Sequence, residues 1–139
     1  MNAPKLLANL KPIFASRLTA NVYLEDDQEK RKLPCVILSA PSEEPREDMP
    51  NGFSDVDFEA VVLTNNRNKL AHNNLTNQVT NILIDDSLLG SLNISEGDDL
   101  RPAKGIHCHF VSYPVSAYEA LDNAQETTLE ASFVCVAKD

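Results

Sequence analysis

The stretch from Phe53 to Leu83 constrains the fold more than any other, because it joins two hydrophobic periods end to end. Asp55, Asp57 and Glu59 alternate with Val56, Phe58 and Ala60, the period of two that marks a half-buried strand. After Leu63 the period changes. Ala71, Leu75, Val79 and Ile82 recur at steps of four, four and three, flanked by His72 and Leu83, which is one face of a helix. Between them, Thr64-Asn65-Asn66-Arg67-Asn68 offers amide side chains to the free N–H groups of a helix start. A strand and a helix with one apolar face each need further layers to cover those faces, and the rest of the chain must supply them.

The 139 residues suit a single domain spanning 1–139, large enough to bury a core without metal or disulfides. With 42% hydrophobic and 24% charged residues, the composition is that of a globular chain. A formal charge of −9 argues against sequence-independent binding to nucleic acid or to an anionic membrane, which needs clustered Lys and Arg. No apolar run approaches the ~20 residues of a membrane span. The opening MNAPKLLANLKPIF lacks the basic-then-apolar pattern of a signal peptide, so none is expected. Cys35, Cys108 and Cys135 are odd in number, far apart and set among apolar neighbours. They read as buried, reduced thiols in a reducing compartment.

Residues 3 to 18 predict a first helix, with Leu6, Leu10, Phe14 and Leu18 at steps of four. Pro4 fits its first turn, whereas Pro12 predicts a kink or a break into two. Asn21 to Leu24 reads as a short strand, EDDQEKRK as a solvated loop, and Leu33 to Ala40 as a central strand apolar on both faces. Gly105 to Val115 and Glu126 to Ala137 read as two further strands, with a turn at SAYEALDNAQ and a connector from 87 to 105. The expected fold is α+β, in the order α-β-β-β-α-β-β. It has a single antiparallel sheet of four to five strands and two helices packed on one face.

Two segments stand out as candidate contact sites. Residues 41 to 52, PSEEPREDMPNG, far exceed the two residues that would reverse an antiparallel pair. Their Glu43, Glu44, Arg46, Glu47 and Asp48 are candidates for contact with a partner or for assembly, against the plainer reading of a mobile loop. Asn73, Asn74, Asn77 and Asn81, with Thr80, lie opposite the apolar stripe of the second helix, where Glu and Lys are more usual. Asparagine is a weak helix former, but its amide can bond a neighbour without the desolvation cost of a charge. This face is the candidate for subunit packing, against simple solvation.

No constellation points to catalysis, cofactor or metal. His107 and His109 share a strand face with Cys108 on the other, and no second pair lies near enough in sequence to complete a tetrahedral metal site. The acidic pairs Asp26-Asp27, Glu43-Glu44, Asp85-Asp86 and Asp98-Asp99 lie in loops or at helix ends, without the burial that acid–base chemistry needs. Four scattered glycines build no phosphate-binding loop. The chain is therefore expected not to be an enzyme.

The layout resembles the small tail-terminator and tail-completion proteins of long-tailed bacteriophages. The resemblance lies in the first helix leading to NVYLEDD, the strand LPCVILSA, the acidic Pro-rich link, a strand of type FxxVDFEAVVLT running into a helix, then FVSYPV and a closing strand. It implies a structural virion protein, assembled in the host cytoplasm, that closes into a homohexameric ring. Such a ring ends the tail tube, meets the tube protein and the neck or connector protein, and lets DNA pass through an acidic lumen without sequence-specific binding. Two alternatives stay open. One is a neck or head-completion ring of the same machine. The other is a free acidic binding module that mimics nucleic acid.

Overall fold

The computed structural model describes residues 2–49, 52–65, 67–93 and 105–137. Three helices, α1 (Ala3–Arg17), α2 (Lys69–Ile84) and α3 (Ser87–Asn93), accompany six strands. The strands are β1 (Asn21–Leu24), β2 (Cys35–Pro45), β3 (Ser54–Asn65), β4 (Ile106–Val111), β5 (Val115–Ala120) and β6 (Ala124–Ala137). They form one strongly curled sheet in the order β1-β2-β3-β6-β4, with β5 also on β6.

This α+β architecture corrects the expected one. The sheet is mixed, because β1 pairs parallel to β2. Among the described residues it holds six strands, three helices accompany it, and its strand order is not that of the chain. The parallel pair arises because the segment after β1 runs back along the strand before β2 begins. Tyr23 Oη accepts from Lys32 N at 3.2 Å, and Asn21 Nδ2 donates to the Lys32 carbonyl at 3.1 Å, which hold the return path in place. Strand β5 lies where a turn was expected.

β6 is the spine. It pairs antiparallel with β3 from Ser54↔Cys135 to Asn65↔Ala124. Along its other side lie β4 and β5, end to end. Ser112 N donates to Ser132 O at 2.9 Å and Ser112 Oγ accepts from Ser132 N at 2.8 Å, so the ladder continues between them. Register shifts between Cys108 and Phe110, and between Ser39 and Ser42 on β2, add residues to one strand only, which bends a sheet and increases its twist.

The helices cover one sheet face. Phe58 on β3 sits between Phe14 of α1, at 6.0 Å between ring centroids, and Phe133 of β6, at 5.5 Å. Leu6, Leu10, Val79, Leu83, Leu88 and Leu92 close over Val36, Leu38, Val62 and Leu129. Burial of each such side chain contributes about 1.5–3 kcal/mol. α1 runs through Pro12 without breaking in two. Pro12 and Ala8, whose carbonyl loses the helical donor, are both exposed, so water can bond the orphan group. α2 starts where the amide-rich turn predicts, with Asn68 Oδ1 accepting from Ala71 N at 3.0 Å. Its buried stripe begins at His72, and Ala71 is exposed.

The opposite face is open over most of its area. A small cluster of Tyr23, Cys35 and Ile37 with Val61 and Leu63 occupies one end. Beyond it the alternation that buries Val56, Phe58 and Ala60 turns Asp55, Asp57 and Glu59 the other way.

Candidate assembly surface

The acidic link between β2 and β3 is shorter than the sequence suggests, because β2 runs on to Pro45. Arg46 N donates to Phe53 O at 2.9 Å and closes the hairpin. Of the five predicted contact residues here, three are engaged within the molecule. Glu43 accepts from Asn2 N at 3.0 and 3.1 Å, from Ala3 N at 3.0 Å and from Ser54 Oγ at 2.8 Å. It thus caps the start of α1 from a distant strand, satisfying N–H groups that a helix leaves free. Burial pushes the Glu43 carboxyl up, but these donors outweigh it and hold it below the ordinary range. The Asn2 amide adds bonds to Gly52 O at 2.8 Å and Ser54 Oγ at 2.7 Å, and accepts from Ala137 N at 2.8 Å. Arg46 pairs with Asp48 at 2.9 Å and Asp55 at 3.3 Å. Glu44 and Glu47 are exposed. The amide face of α2 points to solvent: Asn73, Asn74, Asn77 and Asn81 are all exposed.

The histidines and cysteines are placed for packing. His72 is fully buried between Thr64 Oγ1 at 2.8 Å and Thr127 Oγ1 at 2.7 Å. Burial and the neighbouring Lys69 push its pKa down. His107 meets the Phe53 ring edge-on at 6.3 Å, and His109 falls where the register shifts, so strict alternation no longer sets the two histidines on one face. Cys108 lies directly across from Cys135. The hydrogen bond to Cys135 and burial push the Cys108 thiol far up. Among the described residues no group of three or more His, Cys, Asp or Glu is arranged to hold a metal. No described helix is long and apolar enough to cross a membrane.

The surface that sequence reasoning missed is the outer edge formed by β4 and β5. Every residue of β5 is exposed, and among the described residues no strand pairs its outer side. Large apolar side chains are exposed along this edge: Phe110 by 53%, Tyr113 by 74% and Val115 by 69%, with Leu121 exposed beyond the far end of β5. Tyr113 and Val115 border a cleft of about 400 Å³ whose other walls include Pro41, Asp57, Glu59 and Glu130. The available signal was the two-residue turn Asp122-Asn123, bracketed by Leu121 N donating to Ala124 O at 2.9 Å.

Beside this edge, acids face acids. Glu59 stands opposite Glu130, and Glu119 opposite Glu126. Like charges directly across a ladder are destabilising. Burial, reinforced by Glu130 and then by Glu25, pushes the Glu59 carboxyl up. No protein-family model matches the chain, and no curated protein does.

Proposed function

We propose that this chain is a structural subunit that associates with copies of itself. In the layout it resembles, such a subunit closes a ring that ends a phage tail tube and joins it to the head connector. The observation that carries the self-association is the exposed outer edge of β4 and β5, lined by Phe110, Tyr113, Val115 and Leu121. An unpaired edge with apolar side chains is a liability for a monomer, and an exposed apolar patch marks an interaction surface. The viral part of the reading rests on the resemblance in layout alone. The antiparallel sheet which that resemblance implied is replaced here by a mixed one. A ring of acidic subunits would present a wall that repels phosphates, so that DNA could slide without adhering.

Light scattering and negative-stain imaging of the purified chain test this. A closed ring, copurifying with tube or connector protein, is the expected outcome. A strict monomer at high concentration overturns it. If that monomer also bound a basic partner tightly, the acidic sheet face would belong to a nucleic-acid mimic.

A further inference from the structure

Cys108 and Cys135 face each other across the β4–β6 ladder, and both are buried in the core under the helices. Whether two such thiols can be joined depends on the kind of cross-strand pair they form. The Cys135 carbonyl accepts from Asn2 Nδ2 at 3.0 Å, and Ala137 N donates to Asn2 Oδ1 at 2.8 Å. Asn2 also bonds Ser54 Oγ of β3, so residues 135 and 137 aim their backbone groups toward β3. Ser132, of the other parity, bonds Ser112 on the opposite side of β6. Cys108 and Cys135 are therefore a non-hydrogen-bonded pair, the class whose Cα atoms lie only about 4.5 Å apart and whose side chains lie closest. A disulfide needs Cα atoms roughly 4.4–6.8 Å apart and Cβ vectors that do not diverge. The shared core face meets the second condition, and the Cys108 thiol already shares a hydrogen bond with Cys135. Cys35, the third cysteine, lies in the small cluster on the other sheet face.

We propose that Cys108 and Cys135 are a site of reversible disulfide formation, with a small-molecule disulfide as the co-reactant. In the closed molecule both thiols are sealed in the core, and the hydrogen bond and burial keep Cys108 protonated. The thiolate is the nucleophile in such exchange, so reaction begins with an opening. β4 provides it: this strand ends the strand order, and among the described residues no strand pairs its outer side. Such an element can open locally without global unfolding. With β4 lifted, the Cys108 thiolate attacks one sulfur of the reagent, forming a mixed disulfide and expelling one small thiol. As β4 returns, the Cys135 thiolate attacks the Cys108 sulfur and expels the second. Two electrons pass from the cysteine pair to the reagent, and the two thiol protons leave on the two small thiols. The new bond ties an edge strand to the strand that organises the sheet, and closes a loop that carries all of β5. None of this depends on the self-association reading.

Equilibrating the folded full chain with oxidised and reduced glutathione over a series of ratios tests it, with alkylation, intact mass and peptide mapping as the readout. The expected product is lighter by two hydrogens and retains one alkylatable thiol, Cys35, of the three in the chain. Its map should link the peptides carrying Cys108 and Cys135, and dithiothreitol should restore all three thiols. The oxidised form should melt about 10 °C higher, because closing that loop restricts the unfolded chain. Cys35→Ser should oxidise as the parent does, and Cys108→Ala should stop at mixed disulfides. Circular dichroism checks that both variants fold, and the map of the unaltered chain decides the matter without them. If the folded chain keeps three thiols at every ratio, stops at mixed disulfides, or links Cys35 instead, the proposal falls. It falls too if the bond forms only in urea or lowers the melting temperature, since the pair would then not fit the closed sheet.

Discussion

Two groups of carboxylates in this molecule have opposite fates. Glu43 is met by four hydrogen bonds from Asn2, Ala3 and Ser54. Glu119, Glu126, Glu59 and Glu130 meet one another in pairs across strands. In sequence nothing separates them: all are glutamates in polar or alternating stretches. The difference is what the fold brings alongside. At Glu43 a helix start, a strand and a hairpin converge, and their donors are consumed. Across the β3–β6 and β5–β6 ladders, each of the other four faces another carboxyl instead. An acid whose partners are internal stabilises the molecule, and an acid left facing another is available to something outside.

Removing Glu43 should have the largest effect. Glu43→Ala leaves the Asn2 and Ala3 N–H groups without their acceptor, and should cost about 2 kcal/mol in denaturant unfolding. Glu126→Gln, measured in the same way, should stay within about 0.5 kcal/mol of the parent or gain stability, since it relieves repulsion from Glu119. Equal losses at the two sites would erase the contrast.

The pH dependence sharpens the comparison, because the shifts have opposite signs. Glu43 is held below its unfolded value, so its contribution is present above the unfolded pKa and fades as pH falls through the folded one. Glu59 is held above its unfolded value, so the folded state binds the proton more readily and stability falls as pH rises through the carboxylate range. Stability curves from pH 7 down to about pH 3 should therefore be flattened below the ordinary carboxyl value of 4.5 by Glu43→Gln and steepened above it by Glu59→Gln. His72 adds a third slope. Its folded pKa lies below the ordinary 6.5, so the stability it contributes as a neutral group is lost as pH falls below that value. His72→Gln should remove that slope.

The smallest effect is expected on the amide face of α2. Asn77 is exposed, and Asn77→Ala should raise stability by about 0.5 kcal/mol from helix propensity alone. If it also weakened self-association, the amide face would join the β4–β5 edge as a contact surface.

The readable parts of the sequence were those whose partners leave a local period. β3 and α2 show in the alternation from Val56 to Ala60 and in the stripe from Leu75 to Ile82. Where the deciding partner is remote, the pattern misleads. His72 reads as polar, yet Thr64 and Thr127 reach it from two strands and make it a core residue, displacing Ala71 from the stripe. Glu43 reads as a loop acid because Asn2 lies 41 residues away in sequence. β5 shows no alternation of burial because all of it is exposed, and its small Ser116, Ala117 and Ala120 resemble a turn. The parallel β1–β2 pair depends on a return path that no periodicity encodes. The segment from 94 to 104, expected as part of a connector, lies outside the described residues.

The position of β6 also orders events in time. The whole length of β3 waits for a strand made long after it, with α2, α3, β4 and β5 intervening. A nascent chain halted before Ala124 would present β3 with one flank bare and the acidic alternation on it unpaired. Such distant pairing slows folding. Synthesis of the final ladder, more than any earlier collapse, would then decide when a subunit becomes competent to join its neighbours.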